Sequence, residues 1–124
     1  MTRIFHSSTK APQLVELQQP VDGAWLHLES PTNEELEALS KQYSLDIDLL
    51  LDGIDPNESP RIERDGEQVF IYTRFCLPEA ERLTTAPLLV VYAKGVTITI
   101  CQQPFTHLDH VIAGPEPVVT SKRA

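Results

Sequence analysis

The run "LLVVY", Leu88 to Tyr92, has no polar side. Successive strand residues point to opposite faces, so a strand apolar at every position needs cover on both faces. "VFIYTRF", Val69 to Phe75, is also apolar on both sides. Two such strands belong in the middle of a sheet with a layer on each face.

The remaining elements build around them. "RIFHSS" and "QLVELQ" read as short strands. "VDGAW" carries an Asp-Gly turn signal, and "AWLHLES" alternates, giving a strand from Ala24 to Glu29. Trp25, His27 and Glu29 share one face of it; Leu26 and Leu28 share the other. "SPTNEELEALSKQY" then predicts a helix. Thr32 and Glu35 form a capping box, and Leu36, Leu39 and Tyr43 fall on one stripe. "LDIDLLLDG" predicts a second, shorter helix with Asp46 as N-cap, Ile47, Leu50 and Leu51 inward, and Gly53 just past the end. "RIER-DG-EQVFIYTRF" reads as a hairpin with Asp65-Gly66 as the two positive-φ turn residues. "LLVVY-AKG-VTITIC" reads as two strands about a Lys94-Gly95 turn, with Val96, Ile98 and Ile100 opposite Thr97, Thr99 and Cys101. "FTHLDHVIAG" opens a helix that "GPEPVV" stops, and "TSKRA" reads as a frayed or truncated end.

The order is three strands, two helices and four strands. It predicts an α/β fold: a mixed β-sheet with a two-helix crossover packed on one face. At 124 residues the chain is expected to be one domain, 1–124, large enough for its own core. Only one helical layer covers the sheet in this reading. The other face is expected to be partly bare, or covered by another subunit or by further chain.

Charge narrows the partners. The formal net charge is −8, and twelve acids stand against three bases between Glu29 and Glu67. Phosphate recognition needs Lys and Arg clusters, so nucleic acid is not an expected partner. The longest apolar run, "APLLVVYA", is far shorter than the roughly 20 residues of a membrane helix. The chain as given is expected to be soluble. Cys76 and Cys101 have no zinc-type spacing and read as two buried thiols, with a disulfide between neighbouring strands as the alternative.

No nucleophile–base pair, phosphate loop or His-Glu-x-x-His is present, so the chain is not expected to be an enzyme. His107 and His110 would share a helix face, but no third ligand is nearby in sequence; they read as surface histidines. His27 reads as packed. The acids Asp46, Asp48, Asp52, Asp55 and Glu58 gather around the short helix. Carboxylates suit hard cations such as Mg²⁺, but the spacing is not that of an EF-hand, and a solvated acidic face has the same composition.

"WLHLESPTNEELEALSKQYSLDIDLLLDGID", "SPRIERDGEQVFIYTRF" and "LLVVYAKGVTITIC", in that order, resemble the N-terminal cytoplasmic domain of CorA-type magnesium transporters. The likeness covers residues 24 to 102. It rests on the Trp-led strand, Pro31 with Thr32 and Glu35, the Tyr43-to-Leu45 step, the Pro-Arg-Ile-Glu strand entry and the Lys-Gly-Val-Thr-Ile-Thr strand. The resemblance implies a CorA soluble-domain-like sandwich, truncated, at the cytoplasmic face of the cell membrane. Stalk and membrane helices would follow it in a homopentamer that carries Mg²⁺. The pore signature Gly-Met-Asn is absent, as Met1 is the sole methionine, so the chain is expected to be a fragment that does not itself conduct ions.

The resemblance also places Asp52 at a regulatory cation position between subunits, flanked by Asp48 and Asp55. That position is a half-site whose other ligand lies on a neighbouring stalk. The chain departs from the family pattern at Ile47, where several members have Pro, and at Gly53, where a larger apolar residue is usual. Zinc-transporting relatives share the domain and are an alternative, as is a stand-alone acidic interaction module.

Overall fold

The computed structural model describes residues 1–78, 84–105, 107–114 and 118–121. The elements run β1 (Thr2–His6), β2 (Val15–Leu17), β3 (Trp25–Glu29), α1 (Asn33–Tyr43), α2 (Ile47–Asp52), β4 (Arg61–Asp65), β5 (Gln68–Leu77), β6 (Thr84–Ala93), β7 (Val96–Cys101) and α3 (Leu108–Ala113). The strands form one seven-stranded sheet in the order β2-β1-β3-β7-β6-β5-β4. β3 and β7 pair in parallel, Leu26 beside Ile98 and Leu28 beside Ile100. The other strand pairs among the described residues are antiparallel. The sheet is therefore mixed, as expected, and the α1–α2 crossover lies on one face of it.

That face holds the main core. Leu26, Leu28, Phe70, Tyr72, Leu89, Val91, Ile98 and Ile100 pack against Leu36, Leu39, Tyr43, Leu45 and Leu50. Each large side chain removed from water contributes about 1.5–3 kcal/mol. Helix α1 starts where the capping box predicts: Glu35 N–H donates to Thr32 Oγ1 at 3.1 Å, and Thr32 N–H donates back to Glu35 Oε1 at 3.1 Å. It ends at Ser44, in the left-handed region at φ 55°. Three hydrogen bonds from two side chains hold this non-glycine turn. Gln68 Nε2 reaches the carbonyls of Tyr43 and Ser44 at 3.1 and 3.0 Å, and Lys94 Nζ reaches Ser44 Oγ at 3.1 Å.

Helix α2 starts at Asp46, whose Oδ1 accepts from Asp48 N–H at 2.9 Å. Leu50 is fully buried as predicted, but Leu51 faces solvent and Leu49 packs against the core in its place. Gly53 also differs from expectation. Its φ is −67°, which any residue adopts. Space, not conformation, calls for glycine here: a Cβ would lie 2.4 Å from Leu89 Cδ2. The end of α2 thus rests directly on β6. Tyr72 Oη locks the same helix by donating to Leu49 O at 2.6 Å.

The Lys94-Gly95 turn has both residues at positive φ, 44° and 78°, as a tight hairpin turn demands. The other hairpin is shifted by one residue from its predicted place. Asp65 pairs with Gln68 and closes the ladder, so the turn is Gly66-Glu67, and only Gly66 (φ 62°) is left-handed.

The opposite face is covered over half its width. Phe5, Trp25, His27, Phe75 and Cys101 lie there, with Phe105 and α3 above them. Residues 118–121 return to the end of β1, where Thr120 Oγ1 accepts from Ser7 N–H at 2.8 Å and Ser121 N–H donates to Ser7 O at 3.0 Å. Thr120 and Ser121 are thus tied down; the remainder of the predicted frayed end, 122–124, lies outside the described residues. Towards β4 the face is open: Tyr92 is 47% exposed and Ile62 63%. The expectation of a partly bare second face holds on that half alone.

Candidate functional site

The acids at the exit of α2 occupy distinct local roles. Asp46 caps the helix. Asp48 sits exposed in its first turn. Asp52, one turn further on, ends it. Asp55 folds the following turn by accepting from Asn57 N–H through Oδ1 at 2.9 Å. Spacings of four and three residues put Asp48, Asp52 and Asp55 along one side of the helix and its exit. No cluster of three or more metal-type side chains occurs among the described residues.

Asp52 is held from the sheet. Arg61 Nη2 donates to Asp52 Oδ2 at 3.2 Å. The same guanidinium lies over the Tyr72 ring, its Cζ 4.0 Å from the centroid. Glu58 pairs with Arg61 Nη1, and Glu63 Oε1 lies 3.8 Å from Nε. Hairpin register explains the stacking, because Arg61 is the direct cross-strand partner of Tyr72. Burial, ahead of the nearby charges, pushes the Tyr72 phenol up to about 12, so it remains a donor to Leu49 O. Sequence reasoning placed Arg61 in a hairpin and missed its bond to Asp52. No local spacing marks that bond, because it depends on where the hairpin lies beside the exit of α2.

The histidines and cysteines resolve separately. His107 precedes α3, is exposed, and stacks edge-on against Phe105 with ring centroids 5.7 Å apart. His110 is exposed and belongs to no three-donor group among the described residues. Both stand as surface histidines. Cys76 is exposed, not buried as expected; Cys101 is buried, and burial pushes its thiol up to about 12. Both are free. They sit on β5 and β7 with β6 between, so two strand spacings, at least about 9.5 Å, separate them, beyond disulfide reach.

His27 is packed, as read from the sequence, within a polar chain that the sequence does not reveal. Trp25 Nε1 donates to Thr99 Oγ1 at 2.8 Å, and Thr99 Oγ1 lies 2.6 Å from His27 Nδ1. The Thr99 hydroxyl, with one donor and two lone pairs, serves both the indole N–H and His27 Nδ1. Nε2 is 3.4 Å from Glu29 Oε2 but off the line of a hydrogen bond, and it has no other partner among the described residues. Glu29 Oε1 accepts from Phe105 N–H at 2.6 Å. Burial lowers the pKa of His27, with Glu29 opposing the shift. Beside this chain runs a groove of about 660 Å³ between Trp25, Tyr92, Thr97 and Val111 and the stretch 118–121.

The sequence pattern of the family described as "CorA-like Mg2+ transporter protein" matches residues 22–114. The chain belongs to the CorA-like Mg²⁺ transporter family. Solved structures agree on the fold of this CorA-like chain. The soluble domain of CorA from Methanocaldococcus jannaschii superposes with a TM-score of 0.73 at 24% identity, over 96% of this chain and 48% of that one. The complete CorA magnesium transporter from the same organism gives 0.72 at 23%, over 89% of this chain and 35% of that one. The ZntB cytoplasmic domain from Vibrio parahaemolyticus gives 0.65 at 11%, over 88% and 46%. The CorA-like chain thus spans about a third to a half of these proteins' lengths. No curated protein matches it. Among the described residues no helix is long and apolar enough to cross a membrane.

Proposed function

We propose that this CorA-like chain is the N-terminal regulatory domain of a divalent-cation transporter, with Mg²⁺ as the ion transported and sensed. The observation that carries the reading is the family match over residues 22–114. The shared fold with the soluble domain of CorA supports it. The domain stands at the cytoplasmic face of the membrane, joined to stalk and membrane helices in a homopentamer.

Asp52, with Asp48 and Asp55 beside it, supplies one half of an intersubunit cation site. The donors are carboxylate oxygens, which suit a hard cation that keeps most of its waters and needs one or two protein ligands. A facing subunit supplies the rest. With the ion bound, the facing carboxylates are bridged and the closed packing is favoured; without it they repel. The shift is limited to the ion's difference in affinity for the two arrangements.

A zinc-transporting relative is the second reading, favoured by the likeness to the ZntB cytoplasmic domain. The family match leaves the acidic interaction module with no observation of its own. The test is a Mg²⁺ titration of the domain joined to its stalk and membrane helices, following protease sensitivity. Mg²⁺ is expected to protect the assembly, and Asp52→Ala to move protection to higher Mg²⁺. Unchanged protection in the variant refutes the site, and protection by Zn²⁺ alone favours the second reading.

A further inference from the structure

We propose that Arg61 is the built-in counter-cation of Asp52: it holds the carboxylate when no divalent ion is bound and is displaced when one binds. The inference rests on the reading of Asp52 as a cation ligand. Its own support is geometric. The bond to Asp52 is single, from Nη2 to Oδ2, and Asp52 is 45% exposed at its side chain. A single, half-exposed ion pair is weak and exchanges readily. The guanidinium has other anchors as well: the Tyr72 face at 4.0 Å, Glu58, and Glu63 at 3.8 Å.

Arg61 can therefore let go of Asp52 without being left unpaired. Tyr72 is itself fixed by its bond to Leu49 O, so the platform stays in place when the pair opens. Two consequences follow. The guanidinium partly offsets the carboxylate's charge in the ion-free state, so an incoming ion must compete with it. The displaced guanidinium remains close, and its charge opposes a divalent ion at Asp52. Both raise the ion concentration needed to occupy the site. Arg61 thus acts through Asp52 as a positioning residue that sets the threshold of the response.

The experiment uses the 124-residue chain, Mn²⁺ as a paramagnetic probe, and the backbone amides of Asp52, Gly53 and Ile54 as reporters in ¹H–¹⁵N spectra. Repulsion between a divalent ion and a neighbouring guanidinium, discounted for solvent screening, sets the expected effect at about tenfold. Arg61→Gln is expected to broaden these amides at about a tenth of the Mn²⁺ that the parent chain requires. Arg61→Lys keeps the charge and is expected to behave like the parent, which separates charge from packing on Tyr72. Asp52→Asn in the Arg61→Gln background is expected to abolish local broadening. Equal Mn²⁺ requirements in parent and Arg61→Gln, with broadening at Asp52 in both, overturn the role of Arg61 and leave the Asp52 reading standing. Broadening that survives Asp52→Asn overturns the Asp52 reading itself. Absence of local broadening in Arg61→Gln overturns the role of Arg61, because freeing Asp52 then does not let the ion bind.

Discussion

Gly53→Ala tests how α2, and Asp52 with it, is set against the sheet. At φ −67° the backbone accepts alanine without strain. By unfolded-state entropy alone the change stabilises by about 0.4–1 kcal/mol. The contact reverses the sign. The new Cβ would stand 2.4 Å from Leu89 Cδ2, 2.7 Å from Leu89 Cβ and 3.0 Å from Cγ. Leu89 is fully buried on β6, beneath the end of α2. Overpacking of this kind costs about 1–3 kcal/mol. The net expectation is a loss of about 1–2 kcal/mol, read as a lower urea midpoint at an unchanged slope. The double variant isolates the cause. Leu89→Ala costs about 2–5 kcal/mol in the parent and is expected to cost less in Gly53→Ala, because Cγ and Cδ2, two of the three clashing atoms, are gone, with a coupling of about 1 kcal/mol or more. A higher midpoint in Gly53→Ala, or strictly additive losses, refutes the close-approach argument.

Other outcomes follow from named contacts. Thr32→Ala removes the N-cap acceptor of α1 and is expected to cost about 1 kcal/mol by denaturant unfolding; no loss contradicts the capping box. His27 has a lowered folded pKa, so above about pH 6.5 both states are neutral and it has no effect. As pH falls below that value the unfolded chain takes the proton first, and stability drops until pH passes the folded pKa. His27→Gln is expected to flatten the stability profile below about pH 6.5, and an unaltered profile contradicts the assignment. A thiol reagent at neutral pH is expected to label exposed Cys76 and spare buried Cys101, giving one fast thiol in the native chain and two after unfolding.

The residues show why parts of this fold are legible in sequence and parts are not. Thr32 and Glu35 cap their helix through bonds within four residues, and Lys94-Gly95 turns within two, so local pattern suffices. The alternation of Trp25, His27 and Glu29 against Leu26 and Leu28 is equally local, and it placed both faces of β3 correctly. Helix α2 is different. Leu49, Leu50 and Leu51 are consecutive apolar residues in six residues of helix, and such a run carries no phase. The sheet chooses Leu49 over Leu51. Gly53 looks like a helix cap in sequence because its contact, Leu89, lies far away along the chain. The Asp65-Gly66 shift has the same origin, since the pairing of Asp65 with Gln68 decides the register. At the candidate site, the carboxylates of Asp48, Asp52 and Asp55 were visible as composition. The arginine that holds Asp52 depends on where the hairpin lies beside α2, which only the fold supplies.

The most direct test of the account is ion flux through the assembled transporter in liposomes, with Mg²⁺ varied on the side of this domain. The account predicts that rising Mg²⁺ closes the wild-type protein, and that Asp52→Ala needs about tenfold more Mg²⁺ for half-closure. Closure at the same Mg²⁺ in both proteins contradicts it.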